Sequence, residues 1–182
     1  HAKTALDALP IVWDEGDNAK VSSETIAKWL AEGLDNAQPA YVGNQNGDAK
    51  AAIASAAKKV EAVYSYPYQN HATMEPMNAT AEFKGEILHI YSGNQFATRS
   101  GAIAAGAAGI DPKFVVMHQT WLGGGFGRRL DADMMVPAVQ AAKATGKPVK
   151  VIYTRENDMT MDFSRPLTYQ KVKAGMDGDG KV

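Results

Sequence analysis

Thr120-Trp121-Leu122-Gly123-Gly124-Gly125-Phe126-Gly127-Arg128-Arg129 is the stretch on which the fold and the function both turn. Four glycines fall within the five positions 123–127, around one phenylalanine, and two arginines follow. Before it runs Phe114-Val115-Val116-Met117, apolar and β-like; after it, residues 132–145 read as a helix entered through Asp131 and Asp133. The order is strand, glycine loop, helix start. Glycine has no Cβ and accepts positive φ, so its backbone can come close to a ligand and aim N–H groups at it. A helix start adds unpaired donors and a positive dipole end, which suit an anion. A tight β-to-α turn needs only one or two glycines, so four favour a ligand loop over a bare turn. The spacing matches neither G-x-G-x-x-G nor G-x-x-x-x-G-K-[ST].

Working outward, 87–91, 97–108, 114–119, 132–145 and 149–153 alternate strand, helix, strand, helix, strand. Two consecutive crossovers predict an α+β or mixed α/β fold, with a mixed sheet covered by helices. A hairpin is expected between 79–83 and 87–91 across Lys84-Gly85. Gly109 and Gly146 stop the two helices, and Pro137 belongs in a first turn or at a kink. Gln95, in the loop Ser92-Gly93-Asn94-Gln95, and the glycine loop both follow strand carboxyl ends, where open α/β sheets bind ligands.

Residues 66–78 hold two prolines, two methionines, His71 and Glu75, with no helical or strand period. They read as a loop. His71 with Glu75 is either a ligand or acid/base pair or, as the favoured reading, a hydrogen-bonded loop anchor. No second histidine stands at metal spacing, and His89 and His118 fall on strands, so no zinc site is expected.

Toward the N-terminus, 9–13 reads as a short strand. A helix over 22–34, capped by Ser22 or Ser23, places Ile26, Trp29, Leu30 and Leu34 on one packing face. The 39–48 stretch is polar, with Tyr41-Val42 its one strand-like pair. An alanine-rich helix over 49–57 should lie on a larger layer, and 59–66 alternates Val60, Ala62, Tyr64 and Tyr66 as a half-buried strand. Toward the C-terminus, 154–158 and 164–166 read as solvated charged loops and 168–176 as a strand. The Asp177-Gly178-Asp179-Gly180 turn calls for a second strand after it, which makes a fragment of a longer polypeptide the expectation. The expected division is an arm with helices over 1–60, then 61–182 as the first part of a ligand-binding domain.

Composition narrows the function. A net charge of −1 without a lysine/arginine block argues against nucleic acid as the main partner. The absence of cysteine excludes disulfides, thiolate catalysis and protein-ligated iron–sulfur clusters within the chain. No apolar run approaches the ~18 residues of a membrane-spanning helix.

Gly123-Gly124-Gly125-Phe126-Gly127-Arg128-Arg129 resembles the molybdopterin-binding loop of the xanthine dehydrogenase and aldehyde oxidase family. Three further segments resemble it in the same order. They are Asn70-His71-Ala72-Thr73-Met74-Glu75-Pro76 before the first site strand, Gly93-Asn94-Gln95-Phe96 as the glutamine loop, and Lys147-Pro148-Val149-Lys150-Val151 with Thr154-Arg155-Glu156 after the loop helix. The GGGFGRR and HATMEP forms are similar to the isoquinoline 1-oxidoreductase beta-subunit branch. The resemblance covers nearly the whole chain and is weakest over 1–60.

It implies a truncated domain of the aldehyde oxidase molybdopterin-binding type, in an oxidoreductase that hydroxylates N-heterocycles or oxidises aldehydes with oxygen from water. The cofactor implied is molybdenum–molybdopterin cytosine dinucleotide. Electrons would leave through [2Fe–2S] clusters on an iron–sulfur small subunit. By position, Gln95 would hydrogen-bond an oxygen ligand of molybdenum and the N–H groups of Phe126 and Gly127 would contact the cofactor. Gly124, Gly125 and Arg128 complete the cofactor-binding set. Arg128-Arg129-Leu130 stands where purine-using members carry Gly-Lys-Glu, so purine is not implied. The family's catalytic glutamate lies near the C-terminus of the large subunit, outside this sequence, so the fragment alone should be inactive and its exposed faces should self-associate. The compartment stays open, with the periplasm favoured. A different class, a non-catalytic anion- or nucleotide-binding module, would use the same loop with Arg128 and Arg129.

Overall fold

The structure, a computed structural model, describes residues 2–34, 36 and 41–182; His1 and the start of the polar 39–48 stretch, Pro39 and Ala40, lie outside the described residues. In chain order these form α1 (Ala2–Asp7), α2 (Ser23–Gly33), α3 (Ala49–Ser55), β1 (Lys58–Tyr66), β2 (Asn78–Lys84), β3 (Ile87–Ser92), α4 (Ala97–Ala108), β4 (Val115–Gln119), α5 (Met135–Thr145), β5 (Val149–Ile152), α6 (Arg155–Thr160) and β6 (Thr168–Met176). The chain divides into two compact units, residues 68–166 and residues 1–67 with 167–182.

In the 68–166 unit, alternation dictates the layers. Ala79 and Ala81 on β2 and Leu88 and Ile90 on β3 are fully buried, one strand face turned inward. The hairpin pairs Lys84 with Ile87, so its two-residue turn is Gly85-Glu86, one position later than expected; Gly85 supplies the φ of 62°. β3 pairs parallel with β4 and β2 antiparallel with β5, in the order β4-β3-β2-β5. β5 therefore runs with β3 and β4, and α4 and α5 each join parallel strands of one mixed sheet, as the sequence predicts.

Both helices end on left-handed glycines, Gly109 at φ 70° and Gly146 at φ 64°. Pro137 falls in the first turn of α5, where its missing N–H costs no helical bond. Small residues on α4 (Ala104, Ala108) and α5 (Ala138, Ala142) are buried with Met77, Met134, Met135 and Val139 against β2 and β3. On the opposite sheet face His89 Nδ1 lies 2.9 Å from His118 Nε2, and His118 stacks on Tyr91 with centroids 4.3 Å apart.

In the other unit, β1 pairs antiparallel with β6 along its whole length, from Lys58↔Met176 to Tyr66↔Thr168. Ser22 and Thr25 cap α2 reciprocally, and Asp48 caps α3 through the Ala51 N–H. α3 does lie on a layer: a Cβ on Gly175 would stand 2.7 Å from that of Ala56.

Three expectations here are corrected. Residues 9–13 form no strand, and Val12 and Trp13 are 94% and 81% exposed; an apolar run without a ladder partner has no reason to extend. Trp29 is 58% exposed rather than packed. The period of β1 is right but its burial is not. Gly175 pairs with Lys59, so α3 covers that face, and Val60 and Tyr64 on the other remain exposed.

Burial makes a clear stability contrast. Ile90→Ala, at 0% exposure, should lower the unfolding free energy by about 2–5 kcal/mol. Val60→Ala, at 67% exposure, should change it by less than ~0.5 kcal/mol. Urea titrations of the two variants check this, and comparable losses would contradict the layer assignment.

Candidate functional site

The carboxyl ends of β3, β4 and β5 and the amino end of β2 lie at one edge of the mixed sheet, so the segments 68–77, 93–96, 120–130 and 153–166 meet there. The glycine loop is built tightly into them. A Cβ on Gly123 would stand 2.6 Å from Glu75 Cβ, and one on Gly125 would stand 2.5 Å from Gln95 Oε1. Gly124 and Gly127 have φ of 99° and 109°. The protein's own neighbours therefore account for all four glycines, and their number alone does not signal a ligand.

The hydrogen-bond inventory of the loop carries that signal instead. The Gly123 N–H donates to Glu75 Oε2 at 2.7 Å and the Gly127 N–H to Gln95 Oε1 at 3.0 Å. Arg128 N–H reaches Gly125 O, Arg129 N–H reaches Gln95 Oε1 at 3.3 Å, and Leu130 N–H reaches Gly127 O. Between these, the consecutive N–H groups of Gly124, Gly125 and Phe126 have no acceptor among the described residues. Backbone donors left in series at a bend that alternates in hand make an anion-binding concavity. Phe126, at φ 57° and 68% exposed, holds a conformation that costs a non-glycine residue about 1–3 kcal/mol.

Gln95 faces this loop from the end of β3. Its own N–H donates to Arg129 O at 3.0 Å, and its Oε1 accepts from two backbone N–H groups. Two donors fix the oxygen, so the amide nitrogen Nε2 points elsewhere, with no acceptor among the described residues. The result is an oriented side-chain donor next to the three backbone donors.

Beneath the loop lie the two largest fully buried side chains among the described residues, Arg128 and Arg129, at 1% and 0% exposure. Arg129 donates to Gly124 O (2.7 Å), Gly93 O (3.3 Å), Glu75 O (3.0 Å) and Glu75 Oε2 (2.8 Å), and so ties three loops together. Burial, only partly offset by Glu75, lowers its pKa. Arg128 makes a bidentate pair with Asp133 (2.7 and 3.0 Å) and places Nε 3.2 Å from Asp162. Burial opposes its charge, but Asp133, Asp162 and Asp158 outweigh burial and raise its pKa. Burial likewise opposes the Glu75 charge; the Gly123 N–H, Asn78 and Arg129 override it and hold that carboxylate below its ordinary range. Tyr153 donates to Asp133 at 3.2 Å, and burial with that carboxylate pushes its pKa up to about 12.

Of the residues the sequence singles out, Gln95, Gly124, Gly125, Phe126 and Gly127 come together, while the Arg128 side chain sits below them, turned onto Asp133. His71 and Glu75 do not pair. His71 Nδ1 lies 3.0 Å from Asp162 Oδ1, and Glu75 is drawn to Arg129 and Gly123; stronger partners on other segments separate the two. His71 is a loop anchor.

The 154–158 segment, expected as a solvated loop, instead starts α6. Thr154 accepts from the Asn157 N–H, and Asp158, 4% exposed, pairs with Arg155 at 3.0 Å. Asp133, Asp158 and Asp162 are the site residues that sequence reasoning missed. The Thr154-x-x-Asn157 cap is the one local signal that pointed to α6.

Set beside known proteins, the chain matches the model of the molybdopterin cofactor-binding domain over residues 34–182. It is 34% identical over 98% of its length to a membrane-bound aldehyde dehydrogenase of Gluconacetobacter polyoxogenes, whose name specifies pyrroloquinoline quinone, and covers 23% of that protein. It is 37% identical over 58% of its length to isoquinoline 1-oxidoreductase subunit beta of Brevundimonas diminuta, covering 14% of it. Among solved structures, aldehyde oxidoreductase from Desulfovibrio gigas superposes with a TM-score of 0.66 at 26% identity, over 72% of this chain and 15% of that one. The chain thus spans about a quarter or less of the proteins named here.

Two outcomes test the buried charges. Arg129→Met leaves Glu75 without its cation and the Gly124 carbonyl without a donor, which should cost about 3–5 kcal/mol in unfolding free energy. The Glu75 pKa is lower folded than unfolded, so its stabilisation is complete above about pH 4.5 and is lost as pH falls through the folded value. Melting temperatures between pH 3 and 6 should therefore fall more steeply for the wild type than for Glu75→Gln, and parallel curves would contradict the assignment.

Proposed function

The chain belongs to the molybdopterin cofactor-binding domain family, and on that premise we propose that the unpaired N–H groups of Gly124, Gly125 and Phe126, with Gln95 Nε2, hold a molybdenum–molybdopterin cofactor in a larger oxidoreductase. The observation that carries this reading is the run of three backbone donors without internal acceptors beside an oriented carboxamide. Such fixed donors suit the oxygen-rich, anionic cofactor, in its cytosine dinucleotide form, and demand no rearrangement on binding. Residues 61–182 are the first part of the cofactor domain and residues 1–60 an arm leading into it.

When bound, the cofactor supplies the two-electron redox chemistry that oxidises an aldehyde or an N-heterocycle with water as oxygen source. The chain's own residues bind and orient. Gln95 directs one donor at the cofactor while its oxygen holds Gly127 in place. Arg129, from below, prevents the loop from closing on its own N–H groups. The resemblance assigns the general base to a glutamate of the longer polypeptide, outside these residues; here Glu75, Asp133, Asp158 and Asp162 serve as partners to buried or half-buried cations. The absence of cysteine leaves no iron–sulfur ligand within these residues, in keeping with the resemblance, which assigns electron exit to clusters on a partner subunit. Among the described residues no helix is long and apolar enough to cross a membrane.

The alternative, a non-catalytic anion-binding module, is motivated by Arg128 and Arg129 beside the loop. Both guanidinium groups are buried and engaged, so they present no charge to a ligand at this edge.

Molybdenum content and oxidation of isoquinoline and aldehydes by the full-length protein with its iron–sulfur partner test the proposal. The wild type should carry about one molybdenum per chain, and Gln95→Ala should lower kcat by about 10²-fold, the effect of losing one preorganised donor. Gly127→Val should lose molybdenum, because a side chain at φ 109° displaces the loop. Unchanged activity and metal content in the double variant would refute the site.

A further inference from the structure

A second recess opens on the far side of Phe126. Its volume is about 560 Å³, within the range of small-molecule sites, and Asn70, His71, Ala72, Phe126, Met159 and Arg165 line it. Among the described residues only two non-glycine residues have left-handed backbone, Ala72 at φ 46° and Phe126 at φ 57°, and both are in its wall. Strain of this kind persists where the surroundings over-determine it, and it gathers at ligand sites.

Apart from Phe126, the walls belong to the 69–72 and 159–165 segments, which brace each other. Gln69 and Arg165 exchange two backbone hydrogen bonds, of 3.3 and 2.8 Å. Asn70 donates to Met159 O at 2.6 Å and accepts from Ser164 Oγ at 3.0 Å. The His71 N–H and Nδ1 are both held by Asp162, at 2.6 and 3.0 Å. With Asn70 and His71 Nδ1 already engaged, the walls offer one uncommitted charge. The Arg165 guanidinium has no hydrogen-bond or ion-pair partner among the described residues, and its backbone is restrained by the bridge to Gln69 and by Pro166 after it. The neighbouring apolar surface is the exposed Phe126 ring and the Met159 thioether.

We propose that this recess binds a planar carboxylate, its carboxyl group on Arg165 and its ring against Phe126 and Met159. The chemistry favours a carboxylate over a phosphate. A single guanidinium matches two coplanar oxygens, and the exposed Phe126 and Met159 side chains reward an aromatic body that a phosphate lacks. The proposal stands on the recess alone and does not rest on the cofactor reading.

Calorimetric titration of the full-length protein with benzoate, benzamide and inorganic phosphate tests it. Benzoate should bind the wild type at least tenfold more tightly than benzamide or phosphate. Arg165→Ala should weaken benzoate about tenfold or more, the loss of a charge-assisted hydrogen bond, and leave benzamide unchanged. Arg165→Gln should repeat the loss, and circular dichroism of both variants should match the wild type, because the side chain is exposed and holds no structural bond. Molybdenum content should not change in either variant, so this proposal and the cofactor assignment can fail separately. Benzoate affinity equal in wild type and both variants, no benzoate binding, or phosphate binding as tightly as benzoate would each overturn the carboxylate site.

Discussion

A guanidinium taken wholly out of water must find several acceptors, and Arg129 finds four, on three separate segments. That demand organises the sheet edge. It draws the 75 loop, the 93 loop and the glycine loop onto one centre, and those approaches are so close that no side chain fits at Gly123 or Gly125. Arg128, its neighbour, is neutralised from the other direction by Asp133 and Asp162. Burying two adjacent cations is tolerable only because each has a carboxylate at salt-bridge distance.

The exposed chemistry follows from the buried. With the Gly124 carbonyl committed to Arg129 and the Gly125 carbonyl to the Arg128 N–H, the peptide units between them turn their N–H groups outward. Gln95 completes the arrangement by giving its oxygen to the backbone and keeping its nitrogen free. A ligand meets donors already positioned, so little ordering entropy remains to oppose binding. The strained φ of Phe126 belongs to the same design, since relaxing it would pull the loop away from Gln95 and Arg129.

Much of the sheet and both of its crossover helices were legible because their signals are local. Gly109, Gly146 and Ser22 cap where caps are expected, and the alternation over 79–91 sets the inward face. Gln95 and the glycine loop were placed together correctly from strand ends alone. What the sequence concealed depends on long-range partners. Nothing near His71 says that Asp162 will hold it, and nothing near Arg128 and Arg129 says that they will be buried rather than offered to an anion. Residues 9–13 and Trp29 failed for a related reason. Apolar character predicts burial only where another layer arrives to cover it.

The proposed role of the glycine loop requires that three consecutive backbone donors be kept open for the cofactor by the charges beneath them. Amide hydrogen exchange at Gly124, Gly125 and Phe126, compared between cofactor-loaded and cofactor-free full-length protein, tests it most directly. Strong protection of these three amides is expected on loading, with Gly123 and Gly127 protected in both states. Equal exchange at the three positions in both states would contradict it.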